Sequence, residues 1–239
     1  MRQTIEIIYE NENIIIVNKA SGIYTITQCG VSETRTVLDI LSKQKTDQKI
    51  IPIHNLDVGA SGLVVFAKNK KSYKYINEQF KNKTIARKYK ALLSGFVQDN
   101  EGEINKPMLA LKDNVSINIT GIEAITRFKV LERFKSYTLV EALPVTSLKH
   151  QLRLHFWSMG NPLAIDAKYG INRPILLSSL KRKYKRKKGQ QEHPLISRLT
   201  LHLESLTFKV PNTNEEKTFK TFLPKDFEIT LKKLVKYGR

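Results

Sequence analysis

The sequence is poor in cysteine and in acidic residues, and the cysteine shortage already excludes some sites. Its one cysteine, Cys29, can form no disulfide within the chain and cannot build a metal site from several thiolates. No apolar run is long enough for a signal peptide or a membrane span, so we expect a cytoplasmic protein. No repeat and no linker rich in Pro, Gly or Ser interrupts the chain, which predicts a single domain over 1–239.

Basic residues, by contrast, are abundant: 41 Lys and Arg against 22 Asp and Glu give a net charge of +19. Such an excess favours a polyanionic partner, because cations that neutralise phosphates release condensed counterions. Nucleic acid and an anionic membrane are the candidates, and a lysine-rich proteome would give the same total. We favour nucleic acid, since no helix pattern with a large apolar face supports membrane binding.

The basic residues are concentrated in separate segments. Nine of them, with the single acid Glu78, lie in residues 68–90. Residues 181–188 hold seven cations in eight positions, which predicts a mobile surface loop because unpaired charges are costly to bury. We predict that this loop contacts the phosphate backbone of the nucleic acid through Lys181, Arg182, Lys183, Lys185, Arg186, Lys187 and Lys188.

The apolar pattern predicts a chain of mixed strands and helices. Short β-branched runs on either side of residues 11–13 predict a hairpin, and residues 62–68 have the pattern of a buried strand. Helical spacing of apolar residues predicts helices over 36–43, 70–82, 148–159 and 226–237. Because strands and helices do not alternate in regular βαβ units, we expect the α+β class with a mixed sheet.

Asp57 is the first candidate for a catalytic residue. It lies in I-H-N-L-D-V-G-A-S-G-L (53–63), between a strand-like segment and a buried strand. Rigid backbone on both sides suits a nucleophile that must meet one carbon atom. The alternative is that Asp57 caps the glycine-containing turn, which is a common role for aspartate.

Two further segments hold residues suited to RNA chemistry. Tyr89 interrupts the basic run R-K-Y-K, where its ring could stack on an unpaired base or pack in the core. His150 and Arg153 would share a face of the predicted 148–159 helix, where an arginine could pair with a carboxylate. The spacing of His150 and His155 and the lack of a nearby Cys or carboxylate motif argue against zinc, so both histidines are expected to be structural.

Five segments, in the same order along the chain, resemble motifs of the RluA family of pseudouridine synthases. They are N-K-A-S-G (18–22), I-H-N-L-D-V-G-A-S-G-L (53–63), R-K-Y-K-A-L-L-S-G (87–95), T-S-L-K-H-Q-L-R-L-H (146–155) followed by G-N-P-L-A-I-D-A-K-Y-G (160–170), and L-H-L-E-S-L-T-F (201–208). The resemblance implies the pseudouridine synthase fold, a mixed and largely antiparallel sheet flanked by helices and loops. It also implies an enzyme that isomerises uridines of large-subunit rRNA or tRNA without a cofactor or metal.

The resemblance also implies roles for individual residues. Asp57 would be the nucleophile, Tyr89 the residue that stacks on the base, and Arg153 the ion-pair partner of Asp57. The further substrate-binding residues in the matching motifs are His54, Asn55 and Leu152. Because the first motif begins at residue 18, no separate N-terminal RNA-binding domain is expected, and structured RNA is the expected partner of a monomer.

The sequence departs from the family pattern at several positions. Asn55 stands where the family has an arginine that takes part in flipping the target base, and Ser147–Leu148 replaces Gly–Arg. Ala20 and Ala60 replace proline and threonine. Losing two arginines removes groups suited to phosphate and base contacts. The alternative function is therefore a non-catalytic RNA-binding or ribosome-assembly factor built on the same fold.

Overall fold

The computed structural model describes residues 5–27, 35–111, 114–184 and 191–238 of the chain. Its helices are α1 (Val37–Gln44), α2 (Lys70–Lys81), α3 (Gln151–Ser158), α4 (Leu177–Leu180) and α5 (Lys225–Tyr237). Its strands are β1 (Glu6–Glu10), β2 (Ile14–Lys19), β3 (Ile51–Pro52), β4 (Ser61–Ala67), β5 (Ala86–Ser94), β6 (Glu101–Asn105), β7 (Met108–Leu111), β8 (Asn114–Ile117), β9 (Ile125–Arg133), β10 (Tyr137–Pro144), β11 (Leu201–Lys209) and β12 (Glu216–Lys220).

The chain divides into two compact units, each built from two separate stretches of sequence. The first unit contains residues 1–89 and 202–222. Its strands lie in the order β1-β2-β4-β11, with β3 beside β4 and β12 beside β11. The pairing of β4 with β11 is parallel, whereas β1 with β2, β2 with β4 and β11 with β12 are antiparallel. The sheet of this unit is therefore mixed.

The core of the first unit is formed where β2 and β4 lie side by side. Ile14, Ile15, Ile16 and Val17 are inaccessible to solvent, and all of β4 is buried, as its unbroken apolar run predicts. Gly62 has φ +120°, and a Cβ atom there would lie 2.3 Å from the carbonyl oxygen of Leu203 in β11. Only glycine permits so close a parallel approach of β11 to the start of β4.

The helices of the first unit begin at side-chain caps. Thr36 and Asp39 form a reciprocal capping box at the start of α1. Asn69 accepts a hydrogen bond from the Ser72 backbone at the start of α2. Both helices lie within one or two residues of their predicted bounds, because cap residues mark helix ends locally.

The second unit contains residues 90–201 and 223–239. Within it β10, β9 and β6 pair antiparallel in that order, and β7 with β8 forms a separate two-stranded sheet. Helices α3, α4 and α5 belong to this unit. A cluster of buried apolar side chains forms its core, including Leu92, Ile165, Ile175, Phe227 and Leu234.

The α+β class with a mixed sheet, predicted from the sequence, is confirmed. One predicted boundary is wrong: α3 begins at Gln151 rather than residue 148, because His150 has a left-handed backbone with φ 59°. A helix cannot pass through that conformation. The single-domain prediction stays a prediction. Among the described helices, none is long and apolar enough to cross a membrane.

Candidate active site

Asp57 lies on the turn between β3 and β4 and is half-buried. Its backbone carbonyl accepts a hydrogen bond of 3.0 Å from the Ala60 N–H, so a backbone bond closes this turn. Leu56, just before it, exchanges two hydrogen bonds of 3.3 Å with the Thr25 hydroxyl. The segment that carries Asp57 is therefore held on both sides.

Lys19 also stabilises the loop that carries Asp57, and only 1% of the Lys19 surface is exposed. Its Nζ donates to the carbonyl oxygens of Ile23 at 2.7 Å, Ala60 at 2.8 Å, Ala20 at 3.1 Å and Val58 at 3.3 Å. A buried ammonium needs such partners, because its desolvation is otherwise very costly. Two of the four carbonyls belong to the loop that carries Asp57, so the lysine fixes that loop to the end of β2.

Two more hydrogen bonds join the N-K-A-S-G segment to this loop. The Ser21 hydroxyl donates to the Gly59 carbonyl at 2.7 Å, and the Gly22 N–H donates to the Val58 carbonyl at 2.7 Å. With Lys19 they define what we call the Asp57 clamp. The motif resemblance included these residues without a role, and the structure identifies them as the support of the Asp57 turn.

Tyr89 lies on β5 in the same unit, and 8% of its surface is exposed. Burial raises the pKa of its hydroxyl; the neighbouring Arg87 acts to lower this pKa and the carboxylate of Asp57 acts to raise it further. Tyr89 and Asp57 therefore lie within electrostatic reach of each other. An ordinary tyrosine is already a neutral phenol at physiological pH, and the raised pKa keeps Tyr89 neutral to more alkaline pH.

Arg87 is a buried cation that the sequence analysis assigned no role. Burial lowers its pKa, and its guanidinium lies 5.6 Å from the centre of the Phe80 ring. Residues two apart on a strand point to the same side, which places Arg87 beside Tyr89. The two-residue spacing of Arg87 and Tyr89 in R-K-Y is the sequence signal from which their position on one side of a strand could have been predicted.

His54 completes this group. Its Nε2 accepts a hydrogen bond of 3.2 Å from the Val65 N–H, and its ring lies 5.5 Å from that of Phe80. Burial, and after it the positive charge of Arg87, lowers the pKa of His54 to about 4. His54 is thus uncharged near neutrality and cannot act as a phosphate-binding cation there.

The low pKa of His54 predicts an acid-dependent loss of stability. The unfolded chain takes up a proton near pH 6.5 whereas the folded protein does so near pH 4, so the free energy of unfolding should fall between these values. Replacing His54 with Gln should reduce this fall, as measured by urea unfolding across the pH range. His193→Gln, at an exposed position, is the matched control. An unaltered pH dependence in His54→Gln would contradict the assignment.

Asn55, which replaces the family arginine, is exposed beside Asp57 in sequence. Leu152, by contrast, is buried in α3 of the second unit. Arg153, also on α3, forms two hydrogen bonds of 2.7 Å with the carboxylate of Asp166. Burial acts to raise the pKa of Asp166, but Arg153 and backbone donors outweigh it, so the pKa is lowered.

The contacts of α3 correct one expectation and leave another as a prediction. His150 does not share a helix face with Arg153, because it precedes the helix; its Nδ1 instead lies 2.8 Å from the Tyr169 hydroxyl. The guanidinium of Arg153 lies 5.0 Å from the centre of the Tyr169 ring. The pairing of Arg153 with Asp57 involves both units and stays a prediction.

His155 has the structural role that the sequence predicts for it. It is buried, with Nδ1 2.9 Å from the Thr126 hydroxyl and Nε2 3.1 Å from the Lys106 carbonyl. Lys181, Arg182 and Lys183 are exposed after α4, whereas Lys185, Arg186, Lys187 and Lys188 lie outside the described residues. In the described part of the chain, no three His, Cys, Asp or Glu residues are grouped to hold a metal ion.

Comparison with known proteins relates this arrangement to a family. Residues 13–158, more than half of the chain, match the family model described as RNA pseudouridylate synthase. A Bacillus subtilis protein, "Uncharacterized RNA pseudouridine synthase YlyB", is 33% identical over 98% of this chain and 74% of its own length. The "Dual-specificity RNA pseudouridine synthase RluA" of Vibrio cholerae is 30% identical over 93% of this chain and 84% of its own.

Two other similar proteins extend the comparison. The "Ribosomal large subunit pseudouridine synthase C" of Buchnera aphidicola is 30% identical over 96% of this chain and 70% of its own length. The solved structure of "Human RNA Pseudouridylate Synthase Domain Containing 4" superposes with a TM-score of 0.73 at 23% identity. It covers 96% of this chain and 93% of the human chain, and at that identity it supports the fold alone.

Proposed function

The chain belongs to the RNA pseudouridylate synthase family and is an RluA-type enzyme, and we propose that it isomerises particular uridines of large-subunit rRNA or tRNA with Asp57 as nucleophile. The observation that carries the proposal is the Asp57 clamp, which presents Asp57 on a rigid turn near Tyr89. A fixed carboxylate beside an aromatic ring suits covalent attack on an extruded base or its ribose.

The reaction can be carried out by side chains alone. Forming pseudouridine means breaking the N-glycosidic bond, rotating the uracil and joining it to the ribose through carbon. The product is an isomer of the substrate, so no co-reactant is consumed. Asp57 would add to the base, add to the sugar, or stabilise positive charge on the ribose, and all three routes stay open.

The remaining site residues keep the roles proposed from the family pattern. The target base must leave its stack, which costs a few kcal/mol, and Tyr89 is proposed to receive it. Arg153 is proposed as the ion-pair partner of Asp57, and His54 and Leu152 as substrate neighbours. Asn55 is shorter than the arginine it replaces, so we expect the extruded base to be held in a different way.

The test is to map pseudouridines in transcripts of large-subunit rRNA and tRNA with and without the purified protein. Discrete new pseudouridines in one of the two RNAs are the expected result. RNA binding without any new pseudouridine would contradict the proposed activity and support the non-catalytic alternative.

The basic segment 181–188 is proposed to contribute to RNA affinity without base specificity. Lys and Arg that contact phosphates fix the position of an RNA but do not recognise its base edges. Replacing its seven Lys and Arg with Ser or Gln should weaken binding to cognate and unrelated structured RNAs alike. It should also flatten the slope of log affinity against log salt concentration, because fewer counterions are released.

The comparison for this experiment is a variant in which three exposed lysines of α2 are replaced, Lys70, Lys71 and Lys74. Its slope should change less than that of the 181–188 variant. If the 181–188 variant keeps the original slope, or loses affinity only for the cognate RNA, the segment is not an electrostatic anchor.

A further inference from the structure

A cleft in the second unit is not used by the proposed chemistry. It has a volume of about 410 Å³ and lies where β8, α3 and residues 168–170 meet. Its lining is mostly apolar and aromatic, with Val115, Ile117, Leu154, Trp157 and Tyr169, and its polar side chains are those of Lys168 and Ser116. Clefts of a few hundred Å³ with apolar walls and few polar groups are typical of small-molecule and nucleotide sites.

Trp157 gives this cleft an exposed aromatic surface. Its neighbours on α3, Leu154 and Phe156, are buried, whereas 53% of the Trp157 surface is exposed. Such a ring, placed in a cleft and not scattered on the surface, indicates a binding site. The second aromatic residue, Tyr169, is held in place because its hydroxyl lies 2.8 Å from the His150 Nδ1. The cleft is thus preorganised on the Tyr169 side.

The charges around the cleft indicate what it binds. The Nζ of Lys168 lies 5.5 Å from the centre of the Tyr169 ring. None of the described residues that line the cleft is acidic. Aromatic rings beside a lysine favour an unpaired nucleotide, because a ring stacks on the base while the cation attracts its phosphate.

We propose that this cleft binds an unpaired nucleotide of the substrate RNA, distinct from the target uridine, with its base against Trp157. The proposal rests on the proposed function, since it takes the ligand to be RNA. It adds a second point of recognition in the second unit. RNA that offers an unpaired nucleotide in addition to the target uridine would be bound in preference to a continuous duplex.

Trp157 is the single tryptophan of the chain, so its fluorescence reports on this cleft alone. The probes are an RNA stem-loop with an unpaired adenine loop and a blunt RNA duplex of the same length. Stacking on the indole should quench the emission with the stem-loop and leave it nearly unchanged with the duplex. Equal quenching by both RNAs, or by neither, would overturn the proposal.

Substitutions provide the second test. Trp157→Ala should weaken stem-loop binding at least about fivefold, the lower end of what base stacking contributes. For an RNA substrate that the protein isomerises, Trp157→Ala should raise KM and leave kcat within about twofold of the wild-type value, because the residue acts in binding alone. Trp157→Phe should retain most of the affinity. Phe96→Ala, at an aromatic residue with 52% exposure outside the cleft, is the matched control and should bind normally.

The outcomes separate this proposal from the proposed function. If Asp57→Asn and wild-type proteins are both quenched by the stem-loop but neither forms pseudouridine, the activity is wrong and the cleft proposal stands. If pseudouridine forms while Trp157→Ala binds the stem-loop as tightly as wild type, the activity stands and the cleft proposal is overturned.

Discussion

Replacing Asp57 with asparagine should reduce pseudouridine formation by about a thousandfold or more, the scale of losing a nucleophile in other enzymes. The substitution is nearly isosteric and leaves the backbone bonds of the turn in place, so folding and RNA affinity should change little. The measurement is single-turnover pseudouridine formation on the RNA identified by mapping, together with a binding titration of the same RNA.

Asp47→Asn is the matched control, because Asp47 is an exposed aspartate of the same unit and away from the turn. That variant should retain full activity. If Asp57→Asn retains turnover within about tenfold of wild type, Asp57 caps the turn and is not the nucleophile.

Lys19→Met should produce the largest loss of stability among the substitutions considered. Methionine fills a similar volume but donates no hydrogen bond, so buried carbonyls that Lys19 serves lose their donor. Since each unsatisfied buried group costs about 1–3 kcal/mol, the free energy of unfolding should fall by about 3 kcal/mol or more. Urea unfolding measures this loss directly.

The same substitution should also slow catalysis in the molecules that remain folded. Without Lys19 the loop at Val58 and Ala60 is less restrained, and displacing a nucleophile by a fraction of an ångström lowers kcat more than it raises KM. We expect a loss in kcat of at least about tenfold. Lys71→Met, at an exposed position of α2, should alter neither stability nor kcat. Normal stability in Lys19→Met would refute the clamp.

The parts of the site that depend on local pattern could be predicted from the sequence. The sequence predicts Asp57 as a candidate catalytic residue from its place between a strand-like segment and a glycine-containing turn. The apolar run that follows it, predicted to be a buried strand, is β4. The fold class followed from the irregular succession of strands and helices. These features depend on residues within a few positions of each other, where spacing is informative.

The parts that depend on distant contacts could not be predicted. Lysine is almost never fully buried, so a lysine after an apolar run is ordinarily assigned to the surface. The partners that make burial of Lys19 possible lie about forty positions along the chain, at Val58 and Ala60. The start of α3 was missed for a related reason, because non-glycine residues rarely adopt the backbone conformation of His150.

Strands β6 to β9 received no prediction either. Strands β6, β7 and β8 have only four or five residues each, too few for an alternating pattern to stand out. Strand β9 does alternate between buried and exposed residues at its start, and this pattern could have predicted it. The cleft lined by β8 was therefore invisible in the sequence, although Trp157 could be seen as the single tryptophan.

The division of the first unit between residues 1–89 and 202–222 has a consequence for how the protein is made. The edge of β4 that receives β11 at Ser61 and Gly62 has no partner until the ribosome has passed residue 202. At about 5–20 residues per second, synthesis of the chain from Gly62 to residue 202 takes roughly 7–28 s. During that time the edge of an apolar strand lacks its native partner, and an uncovered strand edge can pair with another chain.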